Sequence, residues 1–232
     1  MPTQNRDDLV YQTIKRDILD LALKPGETIS ENEICERFQV SRTPVRNALK
    51  ILEAQNFISC IPYKGFYIPL LNLSNIKQMI YMRIAVETMV LDDFVRLRTP
   101  LVMEDILHQI RRQQAMIHEE NFSKDHFYRT DAALHGIWFN ATKKGYLWEV
   151  LQSEQLHYTR FRMLDFASET DFPRIINEHF QLYEDIKNGD IPALNEHLKR
   201  HLGFAMIRMR DIINVTYKDY FEADDSPDKF EI

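Results

Sequence analysis

The chain has 232 residues, of which 44% are hydrophobic and 28% are charged. This length exceeds one small domain and fits two, with ample apolar material for a core. No apolar run reaches membrane-spanning length and no charged-then-apolar leader is present, so we expect a soluble, cytoplasmic protein. The two cysteines, Cys35 and Cys60, suit small buried hydrophobic positions, and we expect neither a disulfide nor a metal pair.

The charge is distributed unevenly along the chain. Residues 1–70 hold nine basic and nine acidic residues, so the whole net charge of −6 belongs to residues 71–232. Any nucleic-acid-binding surface in the first part would therefore be a local basic patch on a neutral domain. That distribution favours site-specific binding by a placed helix over a general nucleic-acid coat.

Residues 7–38 predict two helices. The first begins at Asp7-Asp8 and carries apolar side chains at helical spacing: Val10, Ile14, Ile18 and Leu21. Pro25-Gly26 then breaks the chain. Ser30 and Glu33 form a capping box that opens a short second helix.

Residues 41–53 follow the second helix after only Gln39-Val40 and predict a third helix with a basic face. Ser41 is a natural N-cap, and Pro44 falls in the first turn, where its missing N–H has no acceptor to lose. The apolar stripe consists of Val45, Ala48, Leu49 and Leu52. The opposite face carries Arg42, Thr43, Arg46, Asn47 and Lys50. Such a helix suits the major groove of DNA, although this segment alone is equally typical of an ordinary solvated basic face.

The residues downstream predict a hairpin. Residues 57–61 and 66–68 are short β-prone runs joined by Pro62-Tyr63-Lys64-Gly65. Lys64 would lie at the tip, placed to meet a phosphate or the minor groove. Three helices followed by this hairpin indicate a winged helix-turn-helix, which favours the DNA-binding interpretation of the third helix.

Three motifs in residues 9–70 resemble the N-terminal domain of GntR-family bacterial transcription regulators. They are Pro25-Gly26, Ser41-Arg42-Thr43-Pro44-Val45-Arg46 and Lys64-Gly65-Phe66. The resemblance implies that Arg42, Thr43 and Arg46 contact a double-stranded DNA operator, assisted by Lys64 and Gly65 in the wing. It also implies a homodimer on an inverted repeat.

This chain departs from the family at Asn32. Family members often carry a DNA-contacting arginine at the start of the second helix, where this chain has Asn32. Asparagine still hydrogen-bonds but supplies no charge, so we expect a contact of different strength or base preference there.

Beyond Leu73 the pattern is helical almost without interruption. The predicted segments are 73–97, 103–120, 123–142, 145–167, 171–189 and 190–215. The fold class is therefore mainly α, with an all-α bundle of six or seven helices after the winged domain. We expect domains at 1–71 and 72–221, followed by an acidic, flexible tail at 222–232.

The histidines are the chemically interesting residues of this helical part. There are eight: His108, His118, His126, His135, His157, His179, His197 and His201. Asp131 and His135 are four residues apart, as are His197 and His201, and a carboxylate with imidazoles can bind a divalent ion. Spacing alone does not say which histidines converge, and a single histidine is more often a surface or hydrogen-bonded residue than a ligand.

A second resemblance selects among these histidines. Asp131-Ala-Ala-Leu-His135, Glu178-His179, Gly189-Asp190 and His201 before Leu202 resemble the FCD domain, the effector domain of the FadR subgroup of GntR regulators. The resemblance implies that four residues bind a divalent ion: Asp131, His135, His179 and His201. Zinc is the expected ion, with nickel and manganese as alternatives, and His197 would be only a neighbour.

The same resemblance implies an effector. A small carboxylate would fill the open coordination positions of the metal, and Arg83 matches a family arginine that faces the effector pocket. Arg83 would either clamp the carboxylate or pair with Glu87 four residues later. We therefore expect a transcription regulator, a repressor, that responds to an organic acid. The alternatives are a regulator for which the ion is the signal and a metal-dependent enzyme, which the absence of a glutamate after His197 disfavours.

Overall fold

The computed structural model describes residues 6–153, 156–168 and 172–223. The N-terminal part folds as the elements α1 (Arg6–Leu19), β1 (Thr28–Ile29), α2 (Glu31–Phe38), α3 (Arg42–Ala54), β2 (Ser59–Ile61) and β3 (Gly65–Tyr67). The strands form an antiparallel sheet in the order β1-β3-β2. The predicted winged helix-turn-helix is confirmed, and β1 is an addition, because a strand of two residues is too short to show an alternating pattern.

Local capping explains the helix boundaries. The Ser30–Glu33 capping box is present at the start of α2, and Gln39 ends that helix in the left-handed conformation, at a φ of 52°. Ser41 occupies the N-cap of α3, but its side chain makes no capping hydrogen bond, contrary to expectation. The predicted apolar stripe of α3 is buried: Val45, Ala48, Leu49 and Leu52.

The wing depends on a glycine. Gly65 has a φ of 114°, and a Cβ at this position would lie 2.6 Å from the carbonyl oxygen of Ile29. A side chain is therefore excluded both by backbone conformation and by the closeness of β1. The structure thus gives Gly65 a steric role in bringing the strands together.

The cysteines differ from each other in exposure. Cys35 is half-buried and Cys60 on β2 is exposed, and both are free thiols. The expectation of a buried position is wrong for Cys60, because its side chain lies on the solvent-facing side of a short edge strand.

The remainder is a helical bundle around one apolar core. Its helices are α4 (Leu73–Leu97), α5 (Pro100–Met116), α6 (Lys124–Ala141), α7 (Gly145–Ser153), α8 (Leu156–Ser168), α9 (Phe172–Asn188) and α10 (Ile191–Val215). The predicted segment 145–167 is helical in the described ranges 145–153 and 156–168. The helix α5 begins at Pro100 rather than 103, because Thr99 caps it and proline suits its first turn. No helix of the described residues is long and apolar enough to cross a membrane.

The C-terminal segment is bonded to the linker between the two parts. The Leu71 N–H donates to the Tyr220 carbonyl over 2.8 Å, and the Glu222 N–H donates to the Leu71 carbonyl over 3.1 Å. Phe221 between them is buried in the helical core. The first residue of the expected tail, Glu222, is thus held in place, whereas residues 224–232 lie outside the described residues.

Candidate metal centre and DNA-binding face

The DNA-binding candidates of α2 and α3 share one exposed surface. Arg42 Nη2 donates to Asn32 Oδ1 over 3.2 Å. Arg46 Nε donates to Glu31 Oε1 over 3.0 Å, and 56% of the Arg46 side chain remains exposed. Thr43 is exposed beside them. Glu31, the partner of Arg46, is not among the residues predicted from the sequence.

The wing candidates lie at the tip of the sheet. Lys64 is exposed and Gly65 is half-buried at the start of β3. Tyr63 beside them is fully exposed and has a φ of 66°, so the turn projects into solvent. This geometry leaves the Lys64 ammonium available to a phosphate.

Four buried ligand candidates converge inside the bundle: Asp131, His135, His179 and His201. Asp131 and His135 are one turn apart on α6, while His179 comes from α9 and His201 from α10. One ligand atom of each lies within 4.8 Å of the others. The structure thus brings together the set that the resemblance selected. His197 instead pairs with Asp185, with 2.5 Å between Nδ1 and Oδ2.

The Nδ1 atom of each imidazole is held by an oxygen of another side chain. The distances are 2.6 Å from His135 to Glu87 Oε2, 2.8 Å from His179 to Gln113 Oε1, and 2.8 Å from His201 to Glu178 Oε2. An ionised carboxylate only accepts hydrogen bonds, so His135 and His201 donate from Nδ1 and keep an Nε2 lone pair. Second-shell contacts of this kind orient histidine ligands on metals.

Glu87, Gln113 and Glu178, whose oxygens accept these hydrogen bonds, were not predicted from the sequence to act at the metal. Glu87 was considered only as a partner of Arg83. A signal exists for the two glutamates, since Arg83-x-x-x-Glu87 and Arg174-x-x-x-Glu178 repeat the same ion-pair spacing. Gln113 has no comparable local signal, because its partner lies 66 residues away.

Each glutamate is neutralised by the arginine one turn before it. The shortest nitrogen–oxygen distance is 2.7 Å for Arg83–Glu87 and 2.6 Å for Arg174–Glu178. Burial disfavours the charge of Glu87, but the charges of Arg83 and His135 outweigh it and lower the pKa of Glu87 to about 2. Both glutamates therefore remain anionic acceptors inside the protein.

The protonation states suit metal binding. Burial, together with the neighbouring imidazoles of His179 and His135, lowers the pKa of His201 to about 4, against the effect of the hydrogen bond that His201 donates to Glu178. Burial opposes ionisation of Asp131, but its contacts with His179 outweigh that effect and lower the pKa of Asp131. A neutral imidazole and an ionised carboxylate are the forms that ligate a metal.

Unsatisfied atoms at the centre fit an ion. His135 Nε2 and Asp131 Oδ1 are buried and have no partner of good hydrogen-bond geometry. His179 Nε2 lies 3.3 Å from His201 Nε2 and 3.2 Å from Asp131 Oδ1. Two ligands that each lie about 2.1 Å from a zinc ion are about 3–4 Å apart, so these spacings match a common ion.

Arg83 is 5% exposed and already engaged. It donates to Glu87 and, through Nη1, to the Tyr158 hydroxyl over 2.7 Å. Its guanidinium also lies 5.7 Å from the Trp148 ring. Of the two roles considered for Arg83, the ion pair with Glu87 is present in this structure.

The chain matches two family models. Residues 7–68 match the bacterial regulatory proteins of the gntR family, and residues 78–204 match the FCD domain. The chain is 24% identical over 203 residues to the HTH-type transcriptional repressor RspR of Escherichia coli K12, covering 87% of each protein. It is 25% identical over 210 residues to the gluconate operon transcriptional repressor of Bacillus subtilis, covering 88% of this chain and 84% of that protein.

Solved structures share the fold. Escherichia coli McbR/YncC superposes with a TM-score of 0.67 at 18% identity, covering 94% of this chain and 100% of that one. A GntR regulator from Rhodococcus sp. RHA1 gives the same TM-score and identity, covering 89% and 98%. The family consists of transcription regulators rather than enzymes, so the enzyme alternative is set aside. The chain belongs to the GntR family of DNA-binding transcription regulators, in the FadR-like subgroup that carries a C-terminal FCD domain.

Proposed function

We propose that this regulator is a cytoplasmic repressor whose operator affinity is set by a small carboxylate bound to a divalent metal in the FCD domain. The observation that carries the proposal is the buried centre of three oriented imidazoles and one carboxylate. Two similar proteins are named as repressors, which supports repression over activation. Zinc suits nitrogen and oxygen donors in this number, with nickel and manganese as alternatives.

The charge of the centre indicates the class of effector. Arg83 neutralises Glu87, and Arg174 neutralises Glu178. Among the four ligands and these two ion pairs, the net charge is therefore the −1 of Asp131. A divalent ion would therefore bring this group to a net charge of +1 in a buried site. An anionic ligand on an open coordination position would neutralise that charge, which favours a carboxylate.

We infer that the protein acts as a homodimer on an inverted repeat. One winged helix covers few base pairs, and a two-fold pair of them matches a palindromic site. An exposed apolar face on α4 and α7 suits a second copy of this chain. Its members are Tyr81, Met89, Tyr146, Leu147 and Val150. An ion pair between Lys144, which immediately precedes α7, and Asp93 of α4 connects the two helices.

The DNA-binding face is tested with single substitutions. Arg46→Ala should weaken binding by about 1–3 kcal/mol if the guanidinium reads a base. Lys64→Ala should weaken binding on all sequences and reduce the dependence on salt, because a phosphate contact carries no sequence information. Fluorescence anisotropy with a duplex selected by the wild-type protein from a random pool measures both effects.

Arg111→Ala is the matched control, since Arg111 is an exposed arginine on α5. It should bind like the wild type. The same titration at high protein concentration should saturate at two chains per duplex. Wild-type affinity in the Arg42→Ala/Arg46→Ala double variant would show that this face does not contact DNA, and one chain per duplex would contradict the dimer.

The metal ligands are tested with two histidine variants. His179→Ala should lose the ion, because His179 lies in the cluster, whereas His197→Ala should retain it, because His197 pairs with Asp185. Chelation of the wild-type protein should lower its melting temperature, since an ion that binds only the folded state stabilises it. Elemental analysis and thermal unfolding measure these outcomes. An empty site in His197→Ala with a full site in His179→Ala would mean that the ligand assignment is mistaken.

The effector class is tested by thermal shift of the zinc-loaded protein in a series of small mono-, di- and tricarboxylates. At least one acid should raise the melting temperature and change operator affinity, and the metal-depleted protein should not respond to it. If zinc itself changes operator affinity and no acid adds to that change, the ion is the signal and the carboxylate proposal is wrong.

A further inference from the structure

A continuous chain of hydrogen bonds runs outward from the metal centre. His135 Nδ1 lies 2.6 Å from Glu87 Oε2, and Glu87 Oε1 lies 2.7 Å from Arg83 Nε. Arg83 Nη1 then lies 2.7 Å from the Tyr158 hydroxyl. All four residues are buried, so each of these contacts is shielded from competing water. The chain ends on α8, which supplies no ligand to the cluster.

The helix α8 is also attached to the DNA-binding domain and the linker. Leu156 packs against the apolar core of the DNA-binding domain. His157 Nδ1 accepts the Asn72 N–H over 3.2 Å, and Arg160 Nη2 donates to the Pro69 carbonyl over 2.8 Å. Arg160 is fully buried there, and burial lowers its pKa to about 10. Tyr158 therefore lies on the same helix as Leu156, His157 and Arg160, which contact the DNA-binding domain and the linker.

The linker is too short to move independently of α8. Only residues 68–72 join the last strand to α4, and Leu71 is bonded on both sides to the C-terminal segment. Space for movement exists beside it, because a crevice of about 710 Å³ lies between the domains. Gln55 and Asn56 of the DNA-binding domain line this crevice together with Tyr158.

Metal binding would pull on the inner end of this chain. The four ligand atoms lie within 4.8 Å of one another, and ligands on one zinc ion lie about 3–4 Å apart. Coordination through His135 Nε2, which is buried without a hydrogen-bond partner, would move His135, and its hydrogen bond would make Glu87 follow. Arg83 would then move with Glu87, because separating the two would leave each charge unpaired in a buried site, which is strongly disfavoured.

We propose that the chain from Glu87 through Arg83 to Tyr158 couples the metal centre to the linker through α8, with Tyr158 as the positioning residue. This inference rests on the proposed metal site and adds how its occupancy reaches the DNA-binding domain. The bonds at Pro69 and Asn72 transmit the movement of α8 to the linker. Tyr158 itself touches neither metal nor DNA in this arrangement, so its hydroxyl affects the coupling and not the two binding events.

Amide hydrogen exchange of the full chain, with zinc bound and after chelation, tests the proposal. In the wild type, zinc should change the exchange rates of residues 68–72 and of α1, beyond the local change around the ligands. Tyr158→Phe removes only the hydroxyl, and should bind zinc with wild-type affinity while losing most of the change at the linker and α1. Tyr128→Phe is the matched control, because it also removes one hydroxyl beside α8, and that hydroxyl is hydrogen-bonded to Thr159 rather than to Arg83. It should respond like the wild type.

A second variant acts at the outer end of the path. Arg160→Met keeps the aliphatic volume and removes the donor to Pro69, so zinc should still bind and the exchange change at the linker should shrink. A wild-type linker response in both Tyr158→Phe and Arg160→Met would overturn the proposal, as would a zinc-loaded wild type with no response beyond its ligands. Absence of zinc from the wild-type protein by elemental analysis would instead overturn the metal site, and the coupling with it.

Discussion

The structure of the FCD domain is governed by the burial of ionisable groups, which is tolerated only where each charge has a partner. Glu87 is wholly buried and depends on Arg83, while Glu178 depends on Arg174. These ion pairs in turn hold the imidazoles of the centre. Removing one arginine would leave a buried carboxylate without its cationic partner, so the arginines matter to the candidate metal centre without belonging to the ligand set.

The DNA-binding face follows a different rule, because its charges are exposed and only loosely paired. Glu31 engages Arg46 and Asn32 engages Arg42 in the DNA-free protein. Exposed pairs of this kind contribute little to stability, so a phosphate or base can displace them at small cost. Arg42 and Arg46 thus have side-chain partners on the surface formed by α2 and α3.

Much of the fold could be predicted from the sequence, because the signals are local. The capping box at Ser30, the apolar stripe of α3 and the glycine of the wing each act over a few residues. Strand β1 could not be predicted, since two residues show no period.

The site was less accessible to sequence reasoning. Spacing indicates the pair His197 and His201 as readily as the pair Asp131 and His135, and only the family resemblance selects the four residues that converge in the structure. The tertiary fold brings residues from α6, α9 and α10 together, and no local pattern encodes that convergence. Gln113 illustrates the limit, because it is an unremarkable polar residue of α5 until its contact with His179 is seen.

The proposed metal site requires that Glu87, Gln113 and Glu178 hold the three imidazoles with each Nε2 directed toward one ion. Long-range ¹⁵N–¹H correlation spectra of the protein with ¹⁵N-labelled histidine test it directly, because they distinguish the two tautomers. In the metal-free protein His135 and His201 should carry the proton on Nδ1, since each donates to a glutamate. Zinc should then shift the Nε2 resonances of His135, His179 and His201 and leave that of His197 in place. Protons on Nε2 in the metal-free protein, or Nε2 resonances that do not respond to zinc, would contradict the account.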